Sequence, residues 1–220
     1  IRAPIDRIGL GGYLSLVEPY PEFQDYIEQL ANEFRLLKSF HAGDRPYTAP
    51  FKVAVLTAWG RLRSWIASGH FHPGLEYNEM IEALAGLPVD VQFISFEDIA
   101  EAGIPRDVDV IINCGRAGSA WSGGHFWDNP DLVAELAAWV AKGGGYVGIA
   151  EPSALHARAG AYFQLAHVLG VDRDRGERLA LSRRKYEIPG QHFITADATG
   201  APDFGSDIAG VFVTAASAQV

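Results

Sequence analysis

The amino-acid sequence predicts an open, mostly parallel, doubly wound α/β sheet, preceded by the last βα unit of another α/β domain. Three observations carry this expectation. From Phe51 onward, short apolar runs alternate with stretches of helical periodicity, the rhythm of strands joined by helices. The apolar runs are continuous, as in Val53-Ala-Val-Leu56, which is the pattern of strands covered on both faces. Before Phe51 stand one strand-like run and one amphipathic stretch, too little to bury its own apolar face.

The opening run, Ile5-Asp-Arg-Ile-Gly-Leu-Gly-Gly-Tyr-Leu14, breaks at paired glycines. A helix follows. Pro21 suits a first helical position and Glu22 a first turn, while Phe23, Tyr26, Ile27, Leu30, Phe34 and Leu37 recur at helical spacing and form one apolar stripe. His41 to Pro50, with prolines at 46 and 50, reads as a linker. The chain therefore divides into residues 1–45, the end of one domain with its linker, and residues 46–220, a second domain. In the latter, Lys52–Thr57 reads as a buried strand, Leu75–Leu84 as a helix, Val89–Phe96 as a second strand and Val108–Asn113 as a third. Asn129-Pro130 caps and starts a helix through Lys142, its residues Leu132, Val133, Leu136, Trp139 and Val140 facing inward. Gly143-Gly-Gly145 ends it before a strand at Tyr146–Ile149. After Leu169 the pattern weakens, leaving short strand candidates at Lys185–Ile188, His192–Ala196 and Gly210–Thr214. The chain begins at Ile1 and stops at Val220 inside an apolar run, so it reads as a piece of a longer protein, truncated at its C-terminus.

Composition narrows the partners. The 220 residues are 48% hydrophobic and 20% charged, ordinary for a globular protein with a sizeable core. The formal charge of −9 repels a phosphate backbone, and Arg183-Arg184-Lys185 is the densest basic cluster, so nucleic acid is not an expected partner. No apolar run approaches the roughly 20 residues that cross a bilayer, so no membrane partner is expected. The single cysteine, Cys114, excludes an internal disulfide and suits a reducing, cytoplasmic compartment.

Chemistry-bearing residues are few. Cys114 sits where a strand ends, the place of a nucleophile in an amidotransferase-like sheet. A nucleophile elbow wants small residues two before and two after its tip, and here those are Ile112 and Arg116, so Cys114 reads as a buried structural thiol. Glu151, at the end of the Gly145–Ala154 run, reads as a residue at a helix start in preference to a carboxylate base. His70 and His72 invite a metal reading, but no second His/Cys pair stands at ligand spacing, and no metal is expected. Trp59, Trp65, Trp121, Phe126 and Trp127 follow two strands, beside Arg61, Arg63, Arg116 and His125. Such residues stack a sugar or grip an anion at the edge of an open sheet, and they equally fill interfaces, the reading preferred here. Gly115-Arg-Ala-Gly118 and Gly143-Gly-Gly145 match neither the dinucleotide fingerprint nor the Walker pattern, so no nucleotide cofactor, and no cofactor of any kind, is expected.

Taken in order, Asp6-Arg-Ile-Gly-Leu-Gly-Gly-Tyr-Leu14, Asn32-Glu-Phe-Arg35, Lys52-Val-Ala-Val-Leu-Thr-Ala-Trp-Gly-Arg-Leu-Arg-Ser-Trp65, Gly118-Ser-Ala-Trp-Ser-Gly-Gly124, Glu151-Pro-Ser153 and Ala166-His-Val-Leu-Gly-Val171 resemble the lacto-N-biose phosphorylase family. The resemblance covers most of residues 5–172. It implies an inverting enzyme that splits galactosyl-β-1,3-N-acetylhexosamines with inorganic phosphate into α-galactose 1-phosphate and the free N-acetylhexosamine. It further implies that residues 1–45 close a (β/α)8 barrel, that 46–220 form a middle domain resembling a class I glutamine amidotransferase without a working nucleophile, and that the general acid lies in the barrel, outside this chain. No catalytic residue is then expected here. Gly11, Gly12 and Tyr13, just past the last barrel strand, either line the phosphate or sugar pocket or form a tight strand-to-helix turn. The disaccharide and phosphate would be partners of the parent protein, this piece would be inactive alone, and its arginine- and aromatic-rich loops suit a homodimer. Two other readings stand beside this one: a non-catalytic interaction or oligomerisation domain of another carbohydrate enzyme, and an independent thiol-dependent amidotransferase-like enzyme.

Overall fold

The computed structural model describes residues 14–42, 47–58, 75–117, 119, 121–155, 162–174 and 211–214. The strand-like run at 5–14, residues 43–46 of the expected linker, residues 59–74 and the strand candidates at 185–188 and 192–196 lie wholly or largely outside them.

A 3₁₀ turn, Leu14–Leu16, leads into α1, Pro21–His41, which starts with a proline in its first turn and carries Glu22 there, as the sequence anticipates. None of its described side chains is buried: Phe23, Tyr26, Leu36 and Phe40 are exposed, and Ile27, Leu30, Phe34 and Leu37 are half-buried. The apolar stripe is present, and it is not covered by the described remainder of the chain.

The main body is a four-stranded sheet of β1 (Lys52–Thr57), β2 (Asp90–Ser95), β3 (Val110–Gly115) and β4 (Gly145–Ala150), in the order β2-β1-β3-β4 and parallel throughout. The crossover from β1 to β2 includes α2 (Leu75–Ala85); that from β2 to β3 is α3 (Phe96–Ala102); and that from β3 to β4 holds a 3₁₀ turn (Gly124–Asp128) and α4 (Pro130–Ala141). Each face of the sheet has its own core. Ala54, Leu56, Ile94, Ile111 and the buried faces of α3 and α4 form one, with Trp127 its largest fully buried side chain. Val53, Val55, Ile112 and Cys114 form the other, with Tyr77, Met80 and Leu84 of α2. The doubly wound expectation is met because the central strands are apolar along their whole length and must be covered twice.

Local chemistry fixes the boundaries. β3 begins two residues later than its apolar run suggests. Val108 is buried, but Asp109 ends the preceding turn: its carboxylate accepts the Lys52 N–H at 2.8 Å, and its carbonyl accepts the Gly145 N–H at 2.9 Å. β2 stops at Ser95, earlier than expected, because Ser95 caps α3. Its hydroxyl accepts the Asp98 N–H at 2.9 Å, while the Asp98 carboxylate accepts the Ser95 N–H at 3.0 Å. Asn129 caps α4 in the expected way, accepting from the Asp131 N–H.

Beyond β4 a short helix α5 (Ala166–Leu169) precedes a two-stranded antiparallel pair, β5 (Val171–Arg173) and β6 (Val211–Val213). β6 falls within the Gly210–Thr214 candidate. β5 was not anticipated, since a strand of three residues owes its identity to a partner some 40 residues downstream.

Candidate functional site at the carboxyl edge of the sheet

β1 and β3 lie side by side at the centre of the sheet, and their chains leave toward opposite faces, β1 toward α2 and β3 toward α4. This is the switch point where open α/β sheets leave a crevice beyond the carboxyl ends of the strands. Three segments meet there: the end of β1 at Thr57, the loop after β3 from Arg116 to Asp128, and the turn after β4 from Ala150 to Ser153.

Polar side chains inside the sheet edge hold the loop after β3. Asn113, fully buried, donates from Nδ2 to the Ser122 carbonyl at 3.0 Å, while its Oδ1 accepts the Ser153 N–H at 2.7 Å and the Tyr146 hydroxyl at 3.2 Å. The Trp127 indole N–H donates to the same Ser122 carbonyl at 2.6 Å. The hydroxyls of Ser119 and Ser122 both donate to the Arg116 carbonyl, at 2.6 and 2.7 Å. Arg116 itself reaches across to α2, its Nε 2.7 Å from Glu76 Oε1.

Two non-glycine residues of the turn after β4 take left-handed backbone conformations, Ala150 at φ 65° and Ser153 at φ 52°, which surrounding bonds must hold in place. For Ser153 three bonds do so, since its N–H is taken by Asn113, its hydroxyl accepts the Leu165 N–H at 3.1 Å and its carbonyl the Gln164 N–H at 2.8 Å. Glu151 starts no helix, which corrects the expectation. It sits between strands as a structural acceptor: Oε2 takes the Ala117 N–H at 2.8 Å, and Oε1 pairs with the Arg173 guanidinium and the Tyr162 hydroxyl. Arg173 also lies over the Tyr162 ring, 5.1 Å from its centroid. A carboxylate so engaged is not placed as a general base.

Cys114 is fully buried on the α2 face, and burial, with the nearby Glu76 and Glu79, pushes its thiol up to about 12. It stays protonated near neutrality and does not attack carbonyls. The structural-thiol reading holds.

The aromatic residues divide. Trp127 is 1% exposed and packs edge-on to Phe96, while Phe126 stacks between Phe96 and His125. Of these rings Phe96 and Trp127 are interior packing, Phe126 is half-buried against them, and His125 is exposed. Trp121 is half-buried and lies 4.6 Å from Tyr77, the one described aromatic pair at the switch point itself. Trp59, Trp65, Arg61, Arg63, His70, His72 and the pocket-lining candidates Gly11, Gly12 and Tyr13 fall outside the described residues. Among the described residues no group of three His, Cys, Asp or Glu could hold a metal ion, and no helix is long and apolar enough to cross a membrane. Sequence reasoning passed over Thr57, Asn113 and Arg173. The signal for the first two was legible: each is a polar residue near the end of an otherwise apolar strand.

Residues 52–220 match a family model described as the lacto-N-biose phosphorylase central domain, and residues 1–49 match that of the lacto-N-biose phosphorylase N-terminal TIM barrel domain. The chain is 48% identical over 188 residues to a D-galactosyl-β-1→4-L-rhamnose phosphorylase of Lachnoclostridium phytofermentans, covering 84% of this chain and 26% of that protein. It is 43% identical over 203 residues to a 1,3-β-galactosyl-N-acetylhexosamine phosphorylase of Bifidobacterium longum, 90% and 27% of the two. A 1,3-β-galactosyl-N-acetylhexosamine phosphorylase of L. phytofermentans is 41% identical over 219 residues, 96% and 30%. The chain thus spans under a third of the length of the curated relatives it matches.

Proposed function

The chain belongs to the lacto-N-biose phosphorylase family, and from that membership we propose that it is part of an inverting phosphorylase acting on galactosyl-β-1,3-N-acetylhexosamines. The observation that carries the proposal is the order of the two family matches, barrel end then central domain, on one continuous chain. In the proposed reaction a phosphate oxygen attacks the anomeric carbon of the galactosyl unit as the bond to the leaving oxygen breaks. A carboxylic acid protonates that oxygen, and inversion yields α-galactose 1-phosphate and a free N-acetylhexosamine.

Residues 1–45 are assigned to the closing βα unit of the barrel, with Gly11, Gly12 and Tyr13 at the mouth of its pocket, where the loops after barrel strands carry function. Residues 46–220 are assigned to a supporting α/β domain of the amidotransferase-like type, acting without a nucleophile of its own; the buried, protonated Cys114 and the engaged Glu151 favour this over thiol chemistry. We place the general acid in the barrel portion beyond this chain, the enzyme in the cytoplasm, and its assembly as a homodimer.

The test is release of galactose 1-phosphate from lacto-N-biose and phosphate, measured in parallel on the 220-residue chain and on the full parent polypeptide. Activity confined to the parent is expected. No activity in the parent on either N-acetylhexosamine disaccharide would overturn the assignment. The 48% identity to the rhamnoside enzyme supports a second reading, with L-rhamnose as the leaving sugar. Galactosyl-β-1,4-L-rhamnose therefore belongs in the same assay, and turnover of it alone would select that reading.

A further inference from the structure

The turn after β4 has the backbone of a nucleophile elbow. Such an elbow ends a strand, strains the backbone of its tip residue, and wants small residues two positions to either side, because the bend brings those positions together. Ala150 ends β4 at φ 65° and is exposed. Two positions before it stands Gly148, where a Cβ would lie 2.5 Å from the ring of Pro152, two positions after it. Pro152 is not small, and the glycine absorbs the difference. An elbow works with an anion hole, made from the N–H of the residue after the tip and an N–H from a loop after another strand. The corresponding groups here are the N–H of Glu151 and that of Ala117, which follows β3. Both are occupied from within. The Glu151 N–H donates to the Gly115 carbonyl at 3.0 Å, and the Ala117 N–H donates at 2.8 Å to Oε2 of the Glu151 side chain. The other carboxylate oxygen takes the Arg173 guanidinium and the Tyr162 hydroxyl. A backbone N–H, a guanidinium and a hydroxyl thus converge on one carboxylate, the donor set that a small anion would meet in its place. At the tip stands a methyl group, which attacks nothing.

We infer that the turn after β4 is a nucleophile elbow with Ala150 at its tip, and that the Glu151 carboxylate is the built-in occupant of the anion site beside it, a site that takes a small free carboxylate once that side chain is removed. This goes beyond the phosphorylase reading and does not depend on it, since the site lies wholly in the α/β domain.

Two variants of the full 220-residue chain test the two halves. Glu151→Ala vacates the anion site. Sodium acetate, compared with sodium chloride at equal ionic strength, is expected to raise its melting temperature saturably by about 2–4 °C and to leave the native chain, whose site is filled, unchanged. If Glu151→Ala folds poorly, recovery of folded chain on refolding in acetate against chloride is read instead, with the larger recovery expected in acetate. Equal behaviour in the two salts, or an equal acetate effect on the native chain, would overturn the anion site. The variant A150C/E151A puts a thiol at the tip beside the vacated site. Its thiolate should attack the carbonyl carbon of p-nitrophenyl acetate, forming an acetyl thioester as the ester C–O bond breaks and p-nitrophenolate leaves, in a burst that ends when each chain has reacted once. With Glu151 retained, Ala150→Cys should react about tenfold more slowly, because the carboxylate fills the site and opposes a thiolate beside it. The native chain, with Cys114 buried, sets the background. Equal rates in the two cysteine variants, or no burst in either, would overturn the elbow. If the double variant does not fold, Ala150→Cys alone is read against the native chain, with a burst above background expected and its absence counting against the elbow.

Discussion

At the scale of single residues, the carboxyl edge is governed by side chains already committed to the protein. Asn113 is the clearest case, because one buried amide holds three separate segments. Asn113→Ala would strip a donor from the Ser122 carbonyl and leave the Ser153 N–H and Tyr146 hydroxyl without their acceptor, at a cost of about 2–4 kcal/mol. Urea unfolding would measure it, and a loss under 0.5 kcal/mol would contradict this account. The thiol of Cys114 makes a different prediction. It ionises at about 12 in the folded chain against 9.0 ordinarily, so the folded state holds its proton where the unfolded state releases it. Its contribution to stability is therefore complete below pH 9 and is lost as pH rises from 9 toward 12. Alkylation by iodoacetamide at pH 8 should be negligible until denaturant is added, and Cys114→Ala should flatten part of the alkaline decline in unfolding midpoint. Residue types alone anticipated the inert thiol, since Ile112 and Arg116 flank it where an elbow wants small residues. They could not anticipate Glu151, whose role comes from Ala117, Tyr162 and Arg173, neighbours far from it in sequence or set by the turn.

At the scale of elements, the parts legible in the sequence were those with complete local signals. α1 and α4 carry a proline at the start and a periodic apolar face, and both were found nearly to the residue. α3 was missed although Ser95-Phe-Glu-Asp98 is a capping box, because Phe96 continues the apolar run of β2 and masks the change of period. The aromatic cluster was legible as a cluster but not as to its side of the surface. Which ring is core was decided by α3, where Phe96 meets both Phe126 and Trp127. The bend that brings these rings together depends on Gly123, at φ 111°. A Cβ there would lie 2.5 Å from both the Phe96 ring and the Trp127 indole nitrogen. Gly123→Ala combines backbone strain with a clash inside the core, and about 2–4 kcal/mol of destabilisation is expected by calorimetry. The turn after β4 offers a parallel test. Glu151→Gln keeps an acceptor for Ala117 but removes the charge opposite Arg173, and with both groups partly buried a loss of about 2 kcal/mol follows.

At the scale of the whole molecule, two parts of unequal completeness stand side by side. The α/β sheet has a core on each face, whereas α1 leaves its apolar stripe uncovered by the described residues. Amide hydrogen exchange on the 220-residue chain should show α1 exchanging orders of magnitude faster than β1 and β3. The same segment should be protected in the full parent polypeptide, where the barrel assigned above would cover it. Equal protection in both would remove the argument that α1 needs that partner. The central position of β1 has a consequence for the order in which the protein can be made. β1 is the first strand of the described sheet to leave the ribosome, and its second neighbour, β3, follows directly on Asp109, whose carboxylate accepts the Lys52 N–H from 57 residues on. At about 5–20 residues per second, β1 waits roughly 3–11 seconds with an apolar edge open. During that interval β2 and α2 are the described elements at hand to shield Val53 and Val55, so slower translation between β2 and β3 should lower the yield of soluble protein more than slower translation after β4.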